Sequence, residues 1–290
     1  MRRRKNVKKK HEKPPPEGPE VKTITDQLNA ALKDASLQSV EVLSGRYHRR
    51  GDPVGLSSLK GKLPLPIESV CCKGKFIYFV LTDVKPEKKQ RWTFIWNTLG
   101  MSGLWSKTKD EHSRIKFSTS VGDFYFEDVR NFGTMHFDRT YLQTEKKLSS
   151  LGLDLLATDH SLQEFKARLK KRSSKTIVEV LMDQTVTSGV GNYIKCEALY
   201  DSEISPHRHT NSLRDDELER LLASLKDTMR ASYRAKGHTM SDYRDLTGEE
   251  GTYKFALAVY NRSKDPEGRQ VVREQTMDGR TTHWVPEVQK

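Results

Sequence analysis

Four stretches of this chain hold side chains whose type and spacing suit chemistry. In Pro14-Pro15-Pro16-Glu17-Gly18-Pro19-Glu20, two carboxylates stand at the end of a proline run. Lys75 lies in Cys72-Lys73-Gly74-Lys75-Phe76, just ahead of the apolar run Ile77 to Leu81. Gly189-Val190-Gly191-Asn192 falls between two helix patterns. Two glycines there let the backbone approach a phosphate, and the helix that follows offers unpaired N–H groups at the positive end of its dipole. Gly279-Arg280-Thr281-Thr282 places an arginine at a turn near the C-terminus. Each stretch alone also has a plainer reading: a polyproline II linker, a solvated lysine, a helix-to-helix turn, an arginine in water.

The totals narrow the partner. The 290 residues suit two modest domains, each able to bury a core. The net charge is +12, of which the first thirteen residues supply +7 through eight Lys or Arg and one Glu. A moderately basic body behind a strongly basic tail points to an anionic partner, most often nucleic acid. No apolar run is long enough to cross a membrane, and the tail lacks the apolar core of a secretory signal. Three cysteines, Cys71, Cys72 and Cys196, are too few for a disulfide scaffold and suggest a reducing, intracellular compartment. They include no C-x-x-C pair, so no cysteine-rich zinc module is expected. His207 and His209 have no other metal donor close in sequence and read as surface histidines.

These residues must be positioned by elements the pattern also predicts. Residues 1–13 form a basic tail without apolar periodicity, suited to a nuclear address, a DNA anchor, or no partner at all. From Glu20, the residues Val21, Ile24, Leu28 and Leu32 share one helix face. Short β-rich segments follow at Ser39 to Leu43, Ile77 to Leu81, Trp92 to Trp96, Ile115 to Ser118 and Phe124 to Phe126, broken by Gly100, Gly103 and Gly122. The expected class is α+β: a helix on an antiparallel β-sandwich over 14–138, then a connection at 139–150. A helical domain over 151–290 completes the chain. Its helices fall around Phe165 and Leu169, Ile177 to Leu181, Ile194 to Leu199 and Asp215 to Tyr233. Strand-like pieces at Ala256 to Tyr260, Gln270 to Glu274 and Thr281 to Val285 close it with a β-hairpin.

Taken in order, the Pro-Glu before the first helix, the Leu181 to Glu197 stretch with its Gly-Val-Gly-Asn turn and the C-terminal Gly-Arg-Thr-Thr resemble the formamidopyrimidine-DNA glycosylase/endonuclease VIII family. The resemblance runs from Pro16 to Lys290. It implies a DNA glycosylase and abasic-site lyase acting on oxidised bases in double-stranded DNA, a monomer without cofactor. The second domain would carry a helix-two-turns-helix motif. Most of the family carries a zinc finger at the C-terminus; with no cysteine there, this chain resembles the zincless-finger members, with apolar packing by Trp284 and Val259 in place of the metal.

The resemblance also implies roles. Pro16 would be the amine that forms a Schiff base with the sugar, Glu17 would move protons there, and Glu20 matches the family's second carboxylate. Lys75 would reach a phosphate of the damaged nucleotide. Met101, Arg130 and Phe132 would fill the gap left by the flipped base, with Arg130 facing the orphaned base. Asn192 and Arg280 would grip phosphates, with Lys175 adding charge. The loop from Thr239 to Tyr253 would lie over the flipped base.

One departure matters. A terminal α-amine, with a pKa near ~8, is partly unprotonated at neutral pH. An internal proline nitrogen is a tertiary amide and cannot form a Schiff base. Residues 2–15 contain no Met from which a shorter chain could start. Three explanations stand: removal of residues 1–15 by a protease, a wrongly joined first exon, or damage binding on the same scaffold without lyase chemistry.

Overall fold

The computed structural model describes residues 15–83, 91–237, 246 and 252–290. Helix α1 (Gly18–Leu32) leads into strand β1 (Ser36–Val42), then two single-turn helices, α2 (Arg46–Arg50) and α3 (Leu56–Lys60). Seven strands follow: β2 (Leu65–Lys73), β3 (Phe76–Asp83), β4 (Arg91–Thr98), β5 (Gly103–Ser106), β6 (Ser113–Thr119), β7 (Gly122–Asp128) and β8 (Thr134–Arg139). With β1 they form an eight-stranded sheet ordered β5-β7-β6-β1-β2-β3-β4-β8. Strand β1 meets β2 only through Ser36–Pro66 and Leu37–Leu65, so the sheet folds there into two halves. Phe79 of β3 packs against Trp105 of β5 and Phe117 of β6, with ring centroids 5.5 Å apart in both pairs, which closes the halves into a sandwich.

Alternation explains the strands. In β6 every second residue is buried, as a half-solvated antiparallel strand requires. The stripe Val21, Ile24, Leu28 and Leu32 of α1 enters the sandwich core as the periodicity predicts.

Residues 139–150 differ from the expected connection. Helix α4 (Tyr141–Ser150) forms there, capped by Thr140, whose side chain accepts from the Gln143 N–H while Gln143 reaches back to the Thr140 N–H. Only Thr144 of this helix is buried, so it shows no apolar stripe.

Beyond it lie β9 (Leu153–Asp154), α5 (Leu162–Lys170), α6 (Ile177–Met182), β10 (Thr187–Ser188), α7 (Asn192–Asp201) and α8 (Asp215–Arg234). A second core gathers Phe165, Ile177, Leu181, Ile194, Leu199, Leu221 and Leu225. Residues Ala256 to Tyr260, expected as a strand, do not form one. Tyr253–Ala256 is a 3-10 turn, and the N–H groups of Ala258, Val259 and Tyr260 all donate to the buried carboxylate of Glu197. A side chain in α7 thus takes the bonds that a strand partner would have taken. The chain ends in the hairpin β11 (Val272–Gln275) and β12 (Thr281–Trp284), paired from Val272–Trp284 to Gln275–Thr281. Among the described residues no helix is long and apolar enough to cross a membrane.

Candidate active site

The two cores meet along the N-terminus of α1. The Gly18 N–H donates to the Gly189 carbonyl at 2.8 Å, so Pro16 and Glu17 lie against the turn between α6 and α7. Gly74 packs on the same turn: a Cβ there would fall 2.5 Å from the Gly189 nitrogen, and its φ is +56°. Only glycine fits that φ and that distance together.

Pro16 is buried, and Glu17 is fully so. The Tyr193 N–H donates to Glu17 Oε1 at 2.9 Å and the Ile194 N–H to Oε2 at 3.3 Å. These are donors of the first turn of α7, which a helix leaves unpaired. Of the helix-end N–H groups expected to be open to a phosphate, those of Tyr193 and Ile194 are taken by the Glu17 carboxylate. A Cβ on Gly191 would sit 2.2 Å from Glu17 Cδ, so the glycine is what admits the carboxylate.

Glu20 fixes the other end. Its Oε2 accepts the Glu17 N–H at 2.8 Å, and its Oε1 accepts the Tyr193 hydroxyl at 3.0 Å. Ser232 Oγ of α8 completes the network at 2.9 Å from that hydroxyl. Burial pushes the Glu17 carboxyl up to about 7; Lys75 pulls it down, Glu20 pushes it further up, and the two N–H groups oppose.

Lys75 reaches across from the β2–β3 turn and donates to the Val190 carbonyl at 2.8 Å, which Gln184 Nε2 also bonds at 2.9 Å. Burial lowers the pKa of Lys75, the carboxylates of Glu17 and Glu20 raise it, and Arg280 lowers it. Glu17, Glu20 and Lys75 thus converge on the turn between α6 and α7, with the charge of Arg280 felt at Lys75.

Asn192, the first residue of α7, points to the finger. Its Nδ2 donates to the Thr281 carbonyl at 2.9 Å, beside the exposed Arg280 at the hairpin tip. Lys175 lies 3.8 Å from Glu179 on its own helix end.

Met101, Arg130 and Phe132 sit on two loops welded together. Ser102 Oγ donates to Asp128 Oδ1 at 2.6 Å and accepts the Arg130 N–H at 2.9 Å, while Asp128 Oδ2 accepts the Gly133 N–H at 2.7 Å. Phe132 is 55% exposed, with the Arg130 guanidinium 5.3 Å from its ring centroid. Met101 is half-buried. None of the three belongs to the buried core. The loop from Thr239 to Tyr253 lies largely outside the described residues.

The finger is held by polar groups. Lys195 of α7, fully buried, places Nζ 2.5 Å from Asp278 Oδ2 and donates to Thr282 Oγ1 at 2.9 Å. Thr276 Oγ1 donates to Asp278 Oδ1 at 2.6 Å and lies 2.6 Å from Thr282 Oγ1. Burial raises the Asp278 carboxyl, but Lys195, the Thr276 hydroxyl and the Arg280 N–H together outweigh it and hold the net pKa below the usual range. An ammonium at the heart of the hairpin repels a cation, and the Cys196 sulfur beside His283 stays a thiol, its pKa pushed up to about 12 by burial, so these donors do not fit zinc. Val259 is buried and Trp284 packs on His207, yet the tip itself is tied by this clasp. Sequence reasoning missed Lys195, Asp278, Tyr193 and Ser102, because a buried lysine or a bridging hydroxyl looks like any solvated one until its partner is known.

Comparison with known proteins agrees along the whole body. Residues 15–135 match the formamidopyrimidine-DNA glycosylase N-terminal domain, 151–244 its H2TH domain and 245–290 its C-terminal domain. The formamidopyrimidine-DNA glycosylase of Prochlorococcus marinus strain NATL2A is 32% identical over 290 residues, covering 95% of this chain and 100% of its own. That of Desulfitobacterium hafniense strain DCB-2 is 29% identical over 258 residues, covering 87% and 90%. The crystal structure of MutM (Fpg) from Thermus thermophilus superposes with a TM-score of 0.81 at 29% identity over 94% of this chain and 98% of its own. Lactococcus lactis Fpg bound to DNA with an abasic site shares the fold at a TM-score of 0.79 and 24% identity, over 94% and 99%. This chain belongs to the formamidopyrimidine-DNA glycosylase family of base-excision DNA-repair enzymes.

Proposed function

We propose that this chain excises oxidised bases from double-stranded DNA and nicks the strand, with Pro16 as its nucleophile once residues 1–15 are gone. The free Pro16 amine attacks the sugar C1′, and the bond from C1′ to the base breaks with a proton delivered to the departing base. The C1′–O4′ bond then opens, the nitrogen giving up its proton and O4′ taking one up as a hydroxyl, and the Schiff base so formed acidifies C2′; loss of the C2′ proton breaks the C3′–O bond and releases the phosphate. Water then returns the amine. Glu17 handles protons at the sugar, Lys75 holds the phosphate of the damaged nucleotide, and Asn192 and Arg280 hold its neighbours. Met101, Arg130 and Phe132 fill the vacated stack. The enzyme acts as a monomer inside the cell, and the basic tail is its anchor on DNA or its nuclear address.

The observation that carries this is Glu17: a fully buried carboxyl, next to Pro16, tuned to about 7 and beside Lys75. A group balanced near neutral pH suits proton transfer. In a chain starting at Pro16, Glu17→Gln should slow release of an oxidised base from a duplex by ~10²–10⁴-fold while DNA binding holds. Near-normal release would take Glu17 out of the mechanism.

A second reading has a specific basis. With residues 1–15 attached, the Pro16 nitrogen is an amide, and the same surface then serves as a non-catalytic damage-binding protein. It would bind abasic-site duplex without ever becoming covalently attached.

A further inference from the structure

Beside the wedge loop the surface opens into a pocket of about 350 Å³ lined by Arg46, Arg49, Arg50, Arg130, Asn131 and Phe132. Four of its six walls are guanidinium groups and none is a carboxylate. Among the described residues none of these arginines forms an ion pair. Elsewhere arginines are matched: Arg172 with Asp183, Arg208 with Glu217, Arg269 with Asp265. Four like charges around one cavity repel each other, and the arrangement is stable in contact with a polyanion that completes it.

The pocket is built. The Arg46 N–H donates to Asn131 Oδ1 at 3.3 Å, and Arg46 Nη2 donates to the Tyr47 hydroxyl at 2.7 Å. That hydroxyl accepts the Met135 N–H at 2.8 Å. So α2 is locked to the loop that carries Arg130 and Phe132. Arg49 and Arg50 stand exposed beyond it.

We propose that the α2 arginines, Arg49 and Arg50 with Arg46 behind them, bind the phosphodiester backbone of the undamaged strand beside the orphaned base. This rests on the proposed function above. There the damaged strand is held by Lys75, Asn192 and Arg280, and none of these lines the pocket. Arg130 and Phe132, which do, are the residues placed at the orphaned base. The phosphates flanking that base belong to the undamaged strand, and α2 is fixed next to it. The consequence is a preference for duplex over single-stranded damage that the catalytic groups alone do not supply.

The test is Arg49→Gln/Arg50→Gln in the full chain, binding two probes that carry one tetrahydrofuran abasic analogue: a duplex, and the lesion strand alone. The variant should lose ~10–100-fold on the duplex, and the slope of log affinity against log salt should fall by about 2, for two lost phosphate contacts. The single strand should bind within about twofold of wild type. Methylphosphonates in place of the phosphates flanking the orphaned base should weaken the wild type and leave the variant unaffected. Equal losses on both probes, or no loss on either, would overturn the assignment. If the wild-type chain does not favour abasic over intact duplex, the function itself fails, a result distinct from either. An unchanged melting temperature shows that the variant is folded.

Discussion

Glu17 sits where burial and charge pull against each other. Two helix N–H groups and Lys75 favour its carboxylate, yet burial and Glu20 prevail and hold it near 7. The folded state therefore binds this proton more tightly than the unfolded chain, whose value is near 4.5. Stability contributed by Glu17 is full below 4.5 and is lost as pH rises through about 7, on the order of 3 kcal/mol for such a displacement. Glu17→Gln should melt several degrees above wild type at pH 8 and close to it at pH 4.5; a difference that does not change with pH would contradict the tuned carboxyl. The proposed phosphate ligands are tested otherwise. Arg280→Ala and Asn192→Ala should each weaken DNA binding across sequences and lower its salt dependence, and an unaltered salt slope in both would remove them from the phosphates. Pro16, Glu17, Lys75 and Arg280 stand out in the sequence because their local patterns are short and contiguous. Tyr193 was not: its N–H and hydroxyl meet Glu17 and Glu20 across more than 170 residues of chain, a contact that only the fold creates.

At the scale of elements, the finger shows how a hairpin can be pinned without metal. Two four-residue strands are marginal alone in water. Here the buried Lys195–Asp278 pair, closed by Thr276 and Thr282, ties the turn to α7. Removing one partner strands the other charge in the interior. Asp278→Ala should cost about 3–5 kcal/mol of stability. Its DNA affinity should fall as far as that of Arg280→Ala, because Arg280 loses its mount. Lys195→Met/Asp278→Leu should recover most of the stability. A cost below ~1 kcal/mol in thermal melting of Asp278→Ala would show that the clasp holds nothing. The hairpin was readable from its β-rich halves around Asp278-Gly279. The clasp was not, since a lysine within a helix pattern gives no sign of facing inward. Helix α4 shows the converse. Its Thr140–Gln143 capping box was on display, but with only Thr144 buried it lacks the stripe by which helices are recognised.

The whole molecule works by holding two cores at one seam, and the seam is backbone against backbone. Gly74 of the sandwich touches Gly189 of the helical half with no room for a methyl group. Gly74→Ala should leave secondary structure intact by circular dichroism yet cut excision by at least ~10²-fold, since a shift of about 1 Å at a catalytic seam costs that much. Full activity in that variant would mean the seam tolerates displacement. The two-part plan was visible in the change from two-residue to helical periodicity near Leu151. The close approach of the halves was not, because it depends on where glycines from distant segments meet.

Lyase chemistry of the proposed kind joins Pro16 covalently to the sugar. Borohydride reduction on a duplex with one abasic site tests it, comparing the full chain with one whose first residue is Pro16, each N-terminus verified by intact mass. A trapped adduct is expected from the chain beginning at Pro16, located on Pro16 by peptide mapping, and none from a chain with residues 1–15 attached. Binding by both chains without an adduct from either, or an adduct mapped to Lys75, would contradict it.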